Sequence, residues 1–175
     1  MKEEQHILNA FRINKVERTD NTLKVEGYAC HYNTRNHNFE IVTADCFTEF
    51  LNELKENGLK PMFTFNHDSN CIIGGWDEFT SDDTGLFAKG HINTDVAFVR
   101  DNLLPLIEAG DLNHLSTEGW ASGEWSDKQE AYVCDKFMLT AVSLVALPAD
   151  FSAKAEIRNR YENKPKQKQI KKLLI

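Results

Sequence analysis

Apolar and polar side chains alternate along residues 7–14 (Ile-Leu-Asn-Ala-Phe-Arg-Ile-Asn) and again along 22–32 (Thr-Leu-Lys-Val-Glu-Gly-Tyr-Ala-Cys-His-Tyr). A period of two is what a strand with one buried face requires. Further strands are predicted at 61–65, 72–79, 86–92, 114–125, 131–139 and 141–147, about eight in all. Turn chemistry separates them at Asp20-Asn21 and at Ser81-Asp82-Asp83-Thr84-Gly85, while 33–44 reads as an irregular polar loop. Helical spacing is confined to a few places. Phe47, Phe50, Leu51 and Leu54 form a stripe within 45–57, with Asp45 as the expected N-cap and Gly58 as the C-terminal stop. Val96, Val99, Leu103, Leu106 and Ile107 form another within 94–109, capped by Thr94 or Asp95, ended by Gly110 and kinked by Pro105. A third helix is expected from Ala153. A doubly wound parallel sheet needs strands and helices in regular alternation, and this chain lacks it. The predicted fold is mainly β (α+β): an antiparallel β-barrel of seven to eight strands with two to three packed helices.

Composition limits the function classes. Hydrophobic residues make up 41% and charged residues 27%, the balance of a soluble globular domain. The longest apolar runs are about six residues, against the ~20 needed to span a bilayer, so no membrane role is expected. Residues 1–6 carry no basic head followed by an apolar segment, as a secretory leader would. From Arg158 onward seven Lys/Arg face one Glu, a balance of +6 within a net charge of −7, which leaves the first 157 residues at −13. An acidic body is a poor phosphate binder, so no nucleic-acid role is expected of it. The same shift divides the chain into a domain over 1–157 and a basic tail over 158–175, which ends Leu173-Leu174-Ile175. Cys30, Cys46, Cys71 and Cys134 are scattered without a CxxC pair, as expected for reduced thiols in a cytoplasm.

Several chemistry-bearing residues match no template. Cys30-His31 and His37 lack zinc-site spacing, and Asp77-Glu78 and Asp82-Asp83 read as solvated hairpin ends. Gly74-Gly75 has no following Lys-Ser/Thr, and Cys71 has no cationic neighbour to activate it. No metal or organic cofactor is expected. Trp76, Trp120 and Trp125 are expected as packing residues, with a peptide groove beside Trp120 unsupported by the sequence.

Ser116 and His67 stand out differently. A serine hydroxyl is a weak nucleophile until a base takes its proton, and histidine is the usual base near neutral pH. Their separation of 49 positions is no obstacle, because such groups are brought together in space. On residue types alone the pair competes with a plain alternative: Ser116 satisfied by backbone in a strand, and His67-Asp68 solvated in a loop running on to Gly74-Gly75.

Three segments in fixed order tip the balance: Phe65-Asn66-His67-Asp68, then Leu115-Ser116-Thr117-Glu118-Gly119, then Val142-Ser143-Leu144-Val145 with Pro148-Ala149-Asp150. Together with Gly27-Tyr28-Ala29, Asp83-Thr84-Gly85-Leu86 and the passage from Val99 to Gly110, they resemble the tailed-bacteriophage prohead proteases over most of the chain. The resemblance implies the barrel shared with herpesvirus maturation proteases, with Ser116 as nucleophile and His67 as general base. It implies a serine endopeptidase that cleaves scaffold and capsid-protein delta regions, acting inside an assembling procapsid in the bacterial host cytoplasm. Self-association is left open.

The chain departs from the family pattern twice. After Leu115-Ser116 it is one residue longer before Gly119-Trp120, and the acidic residue that commonly precedes Val-Ser-Leu-Val is Ala141. The third catalytic residue is therefore open among His91, Asp135 and Glu118. A Ser-His dyad without one is a further possibility, and the alternative function is a catalytically impaired member acting as a non-enzymatic assembly or scaffold-binding protein.

Overall fold

The computed structural model describes the backbone of residues 4–18 and the full residues 21–146. Its strands are β1 Glu4–Arg18, β2 Thr22–His31, β3 Glu40–Val42, β4 Met62–Phe65, β5 Asp68–Ser81, β6 Gly85–Asn93, β7 His114–Ser126 and β8 Ala131–Val145. The helices are α1 Thr48–Asn57 and α2 Leu104–Ala109. Pairing runs β8-β4-β5-β6-β2-β1-β7, and β7 pairs again with β8, so seven strands return on themselves. The predicted mainly-β class with accompanying helices is what is found. Most pairings are antiparallel, as expected, but β3 and β4 both run parallel to β8. The chain reaches β4 from α1 and not from a hairpin, which frees it from the antiparallel direction a tight turn imposes.

Several boundaries differ from those expected. The predicted strands 131–139 and 141–147 are one continuous β8, because an extra residue at Thr140 is absorbed without a break. The irregular loop 33–44 contains the short β3, held by Asn36, which accepts from the Glu40 N–H and donates to its carboxylate. Asp45 does not cap α1: turns between Thr43 and Cys46 and between Asp45 and Thr48 delay the helix to Thr48, and the N-cap position is Phe47. Gly58 does end that helix, at φ 66. Thr94 and Asp95 are also displaced as caps, since the Asn93 side chain accepts the Asp95 N–H instead. Ahead of Pro105 the helix widens into a π-helical segment, Val99–Leu103. Proline cannot donate to the carbonyl four residues back and collides with it, and the widened turn relieves both problems. Gly110, at φ 80, terminates α2 as predicted. Residues 19–20 of the first turn, the Pro148-Ala149-Asp150 signature, the helix expected from Ala153 and the basic tail lie outside the described residues.

Inward residues of the strands meet in one core. Leu23 and Val25 of β2, Ile73 and Trp76 of β5, Leu86 and Ile92 of β6, Leu115 of β7 and Phe137, Val142 and Leu144 of β8 are all at most 2% exposed. Val99, Leu103, Leu104 and Ile107 of the second helical region join the same core, as do Phe47 and Phe50 at α1. Each such side chain contributes about 1.5–3 kcal/mol on burial. Trp76 stacks on Phe63 at 4.1 Å and donates its indole N–H to the Val142 carbonyl at 3.3 Å. One side chain thus ties β5, β4 and β8 together. Trp120 and Trp125, expected to pack, are instead 54% and 59% exposed, because they fall on the outer face of β7 or near its end. The four cysteines are free thiols, and Cys46 and Cys134 meet in the core at 3.1 Å between sulfurs.

Candidate active site

His67 is placed by a tight turn. Phe65 pairs directly with Asp68, which leaves only Asn66 and His67 to reverse the chain, at φ 49 and 60. Positive φ at both central residues defines a type I′ hairpin, a geometry that normally selects Asn-Gly. The chain therefore reverses at once and enters β5 at Asp68, where the sequence suggested a loop reaching Gly74-Gly75. Asn66 anchors the turn to β8: its N–H donates to the Leu144 carbonyl at 2.9 Å, and its side-chain oxygen accepts from the Ala146 N–H at 3.3 Å. A histidine held at φ 60 in a glycine position is an uncommon conformation that the surroundings must enforce.

Along β7, Leu115, Thr117, Gly119 and Ala121 turn to the core, so Ser116, Glu118 and Trp120 share the opposite face. Gly119 has no room for a side chain there, since a Cβ would lie 2.1 Å from the Met138 carbonyl oxygen and 2.8 Å from the Phe137 ring. The Glu118 carboxylate meets the His67 ring, Nδ1 to Oε2, at 3.1 Å, with both side chains about three-quarters buried. Between β4 and β7 lies β8. Thr64, Ser143 and Ser116 stand opposite one another across the three strands, and Met62, Ala141 and Glu118 form the next row. Ala141 and Ser143 are short, so neither obstructs the strip that His67 and Glu118 span. The extra residue noted after Ser116 meets a bulge here: the β7–β8 register shifts between Glu118 and Gly119, and Thr140 of β8 donates its hydroxyl to the Glu118 carbonyl at 3.2 Å. Bulges re-aim side chains beside them.

A carboxylate that accepts a hydrogen bond from the Nδ1 N–H selects the imidazole tautomer whose Nε2 carries the lone pair a base needs. Ser116 is 2% exposed, and among the described residues its hydroxyl makes no hydrogen bond, neither to backbone nor to His67. The backbone-satisfied strand serine is thus not what is found. Contacts between nucleophile and base commonly tighten only when substrate is present. Of the remaining candidates, His91 is held by Asp77, Nδ1 to carboxylate at 3.1 Å, on an exposed stretch of β6. Asp135 accepts from the Ser122 hydroxyl at 3.3 Å on the other half of β8. The Cys71 thiol is pushed up by burial and by the neighbouring Asp68 charge, the opposite of nucleophile activation. Thr64 and the Ser143 hydroxyl were not singled out in the sequence. The signal available was the Asn66-His67 dipeptide, a hairpin turn with histidine in the glycine place.

Among solved structures, the capsid assembly protease of bacteriophage T4 matches with a TM-score of 0.71 at 14% identity, over 83% of this chain and 99% of that one. The protease of varicella-zoster virus matches with a TM-score of 0.42 at 19% identity, over 75% of this chain and 62% of that one. A search of curated proteins finds no match. The model of the family described as caudovirus prohead serine protease matches residues 9–167, nearly the whole chain. The chain belongs to the caudovirus prohead serine protease family.

Proposed function

We propose that this protein is a serine endopeptidase of procapsid maturation, cleaving scaffold and capsid-protein delta regions inside the assembling shell in the host cytoplasm. The family supports the class of substrate, and the T4 protein of like fold is itself a capsid assembly protease. The observation that carries the chemistry is the His67–Glu118 hydrogen bond on the face that bears Ser116.

In this mechanism Ser116 Oγ attacks the scissile carbonyl carbon, the C–O bond forms, and the carbonyl electron pair moves onto oxygen. His67 Nε2 takes the serine proton, and Glu118 holds the ring and offsets its developing charge. Collapse of the intermediate expels the amine, which receives the proton from His67 and leaves an acyl-enzyme. Water then attacks the ester by the same route. The non-catalytic alternative rested on Ala141; Glu118 stands directly opposite that position, which supplies a carboxylate and weakens the case for it.

Co-expression with the scaffold and capsid proteins, wild type against Ser116→Ala, tests the proposal by intact-protein mass spectrometry. New termini that vanish in the variant are expected. Identical intact masses in both, with procapsids still forming, would overturn it in favour of an assembly factor.

A further inference from the structure

Ser143 lies in the Val-Ser-Leu-Val segment, yet nothing in the mechanism above uses it. It is 0% exposed, its neighbour Thr64 on β4 is 1% exposed, and their hydroxyl oxygens are 2.6 Å apart. A valine–alanine pair would fill the same space without the desolvation cost of two hydroxyls. Such a pair therefore calls for an explanation beyond packing. Its location supplies one. Ser143 faces Thr64 on one side and Ser116 on the other, each in direct register, so three hydroxyl residues cross three strands in a row that ends at the nucleophile. Directly opposite residues of an antiparallel pair have Cβ atoms about 4.5–5.5 Å apart.

Each hydroxyl owns one proton. The Thr64–Ser143 bond consumes one of the two, and the other belongs to whichever residue accepts. When Thr64 donates, the Ser143 proton turns away from β4, and the residue on that side is Ser116. Among the described residues Ser143 does not bond the resting Ser116 hydroxyl. A donor unused in the ground state, placed beside the reacting centre, is what transition-state stabilisation rewards.

Resting on Ser116 as nucleophile, we propose that Ser143 donates a hydrogen bond to the oxyanion formed when Ser116 attacks, with Thr64 as the positioning residue that turns the Ser143 proton toward it. No proton is transferred by either residue.

The test is single-turnover cleavage of the purified scaffold protein by the full chain, with unfolding midpoints recorded for every variant. Ser143→Ala should slow the chemical step about 10²-fold, the scale set by loss of one oxyanion donor, with little change in half-saturating enzyme concentration. Thr64→Val should slow it by less, about tenfold or under by the same reasoning. The double variant should match Ser143→Ala alone, because Thr64 acts only through Ser143. It also removes the orphaned hydroxyl that could destabilise either single variant, so it is read if a single variant fails to fold. A double variant cleaving within threefold of wild type overturns the inference, as does a further multiplicative loss when Thr64→Val is added to Ser143→Ala. Ser116→Ala in parallel separates the two levels: retained cleavage there refutes the nucleophile itself, whereas a dead Ser116→Ala beside a fully active Ser143→Ala refutes only the oxyanion role.

Discussion

Among the described residues, His67 and His91 each bring Nδ1 to a carboxylate oxygen at 3.1 Å, and the two pairs sit in very different surroundings. His91 and Asp77 sit on the adjacent strands β6 and β5, with side chains 40% and 59% exposed, Asp77 at the bulge where the β5–β6 register shifts. His67 and Glu118 are 24% and 23% exposed, and they reach each other across an intervening strand. His67 is held in a left-handed conformation that its residue type disfavours, and a buried serine stands two positions from Glu118. Distance alone does not distinguish the pairs. Exposure, enforced backbone geometry and a hydroxyl neighbour do. At the exposed pair, solvent screens the attraction to a fraction of a kcal/mol.

Substitution should separate the pairs sharply. His67→Ala removes the base and should reduce scaffold cleavage by about 10⁴-fold or more, whereas His91→Ala should leave the rate within about twofold. Equal losses in both would mean that the pairs had been ranked wrongly. A smaller effect is expected at the carboxylates. Glu118→Gln should cost about 10²–10⁴-fold, since a glutamine can hold the ring but not stabilise its charge, and Asp77→Asn should cost nothing measurable. Register sharpens this second comparison. Ala141 is the direct partner of Glu118 across the β7–β8 ladder, so Ala141→Glu in a Glu118→Ala background places a carboxylate one strand away in the same row. Partial recovery of cleavage, by tenfold or more over Glu118→Ala, is the expected result from such a position. No recovery, with the double variant folded, would show that the bulge beside Glu118 sets its aim too narrowly for a neighbouring strand to replace it.

That row explains why the sequence was readable in some places and not in others. Period-two patterning exposed β2 almost to the residue, because it has one face in the core and one toward solvent. The same rule broke β8 into two, since from Ala141 to Val145 both of its faces are buried and the alternation disappears. Ser116 and His67 could be singled out by residue chemistry and family order. Glu118 could be named only as one of three candidates, because whether a carboxylate meets a histidine depends on which strands adjoin. Ring closure through β8 decides that, and closure is a long-range property no local window contains. Gly58 and Gly110 were legible as helix stops because a positive φ is a local demand. Asp45, Thr94 and Asp95 were misleading as caps because turns held by backbone and by Asn93 came first.

The smallest effect is the most pointed, because it asks what the site costs the fold. A type I′ turn favours glycine at its second central residue, while an alanine or histidine there is disfavoured by about 1 kcal/mol. His67→Gly should therefore be more stable than His67→Ala by about 1 kcal/mol, a difference of roughly 2–4 °C in Tm for a domain of this size, although both are inactive. At His91 the order should reverse. That residue lies inside β6, paired with Lys24 on one side and Gly75 on the other, where glycine weakens a strand. Opposite signs at the two histidines, measured by thermal unfolding of four variants, would show that the fold carries strain at His67 and none at His91. The same sign at both would remove the conformational argument for His67 and leave its case to the hydrogen bond with Glu118 alone. Strain retained in a position that glycine would relieve is what selection for chemistry over stability leaves behind.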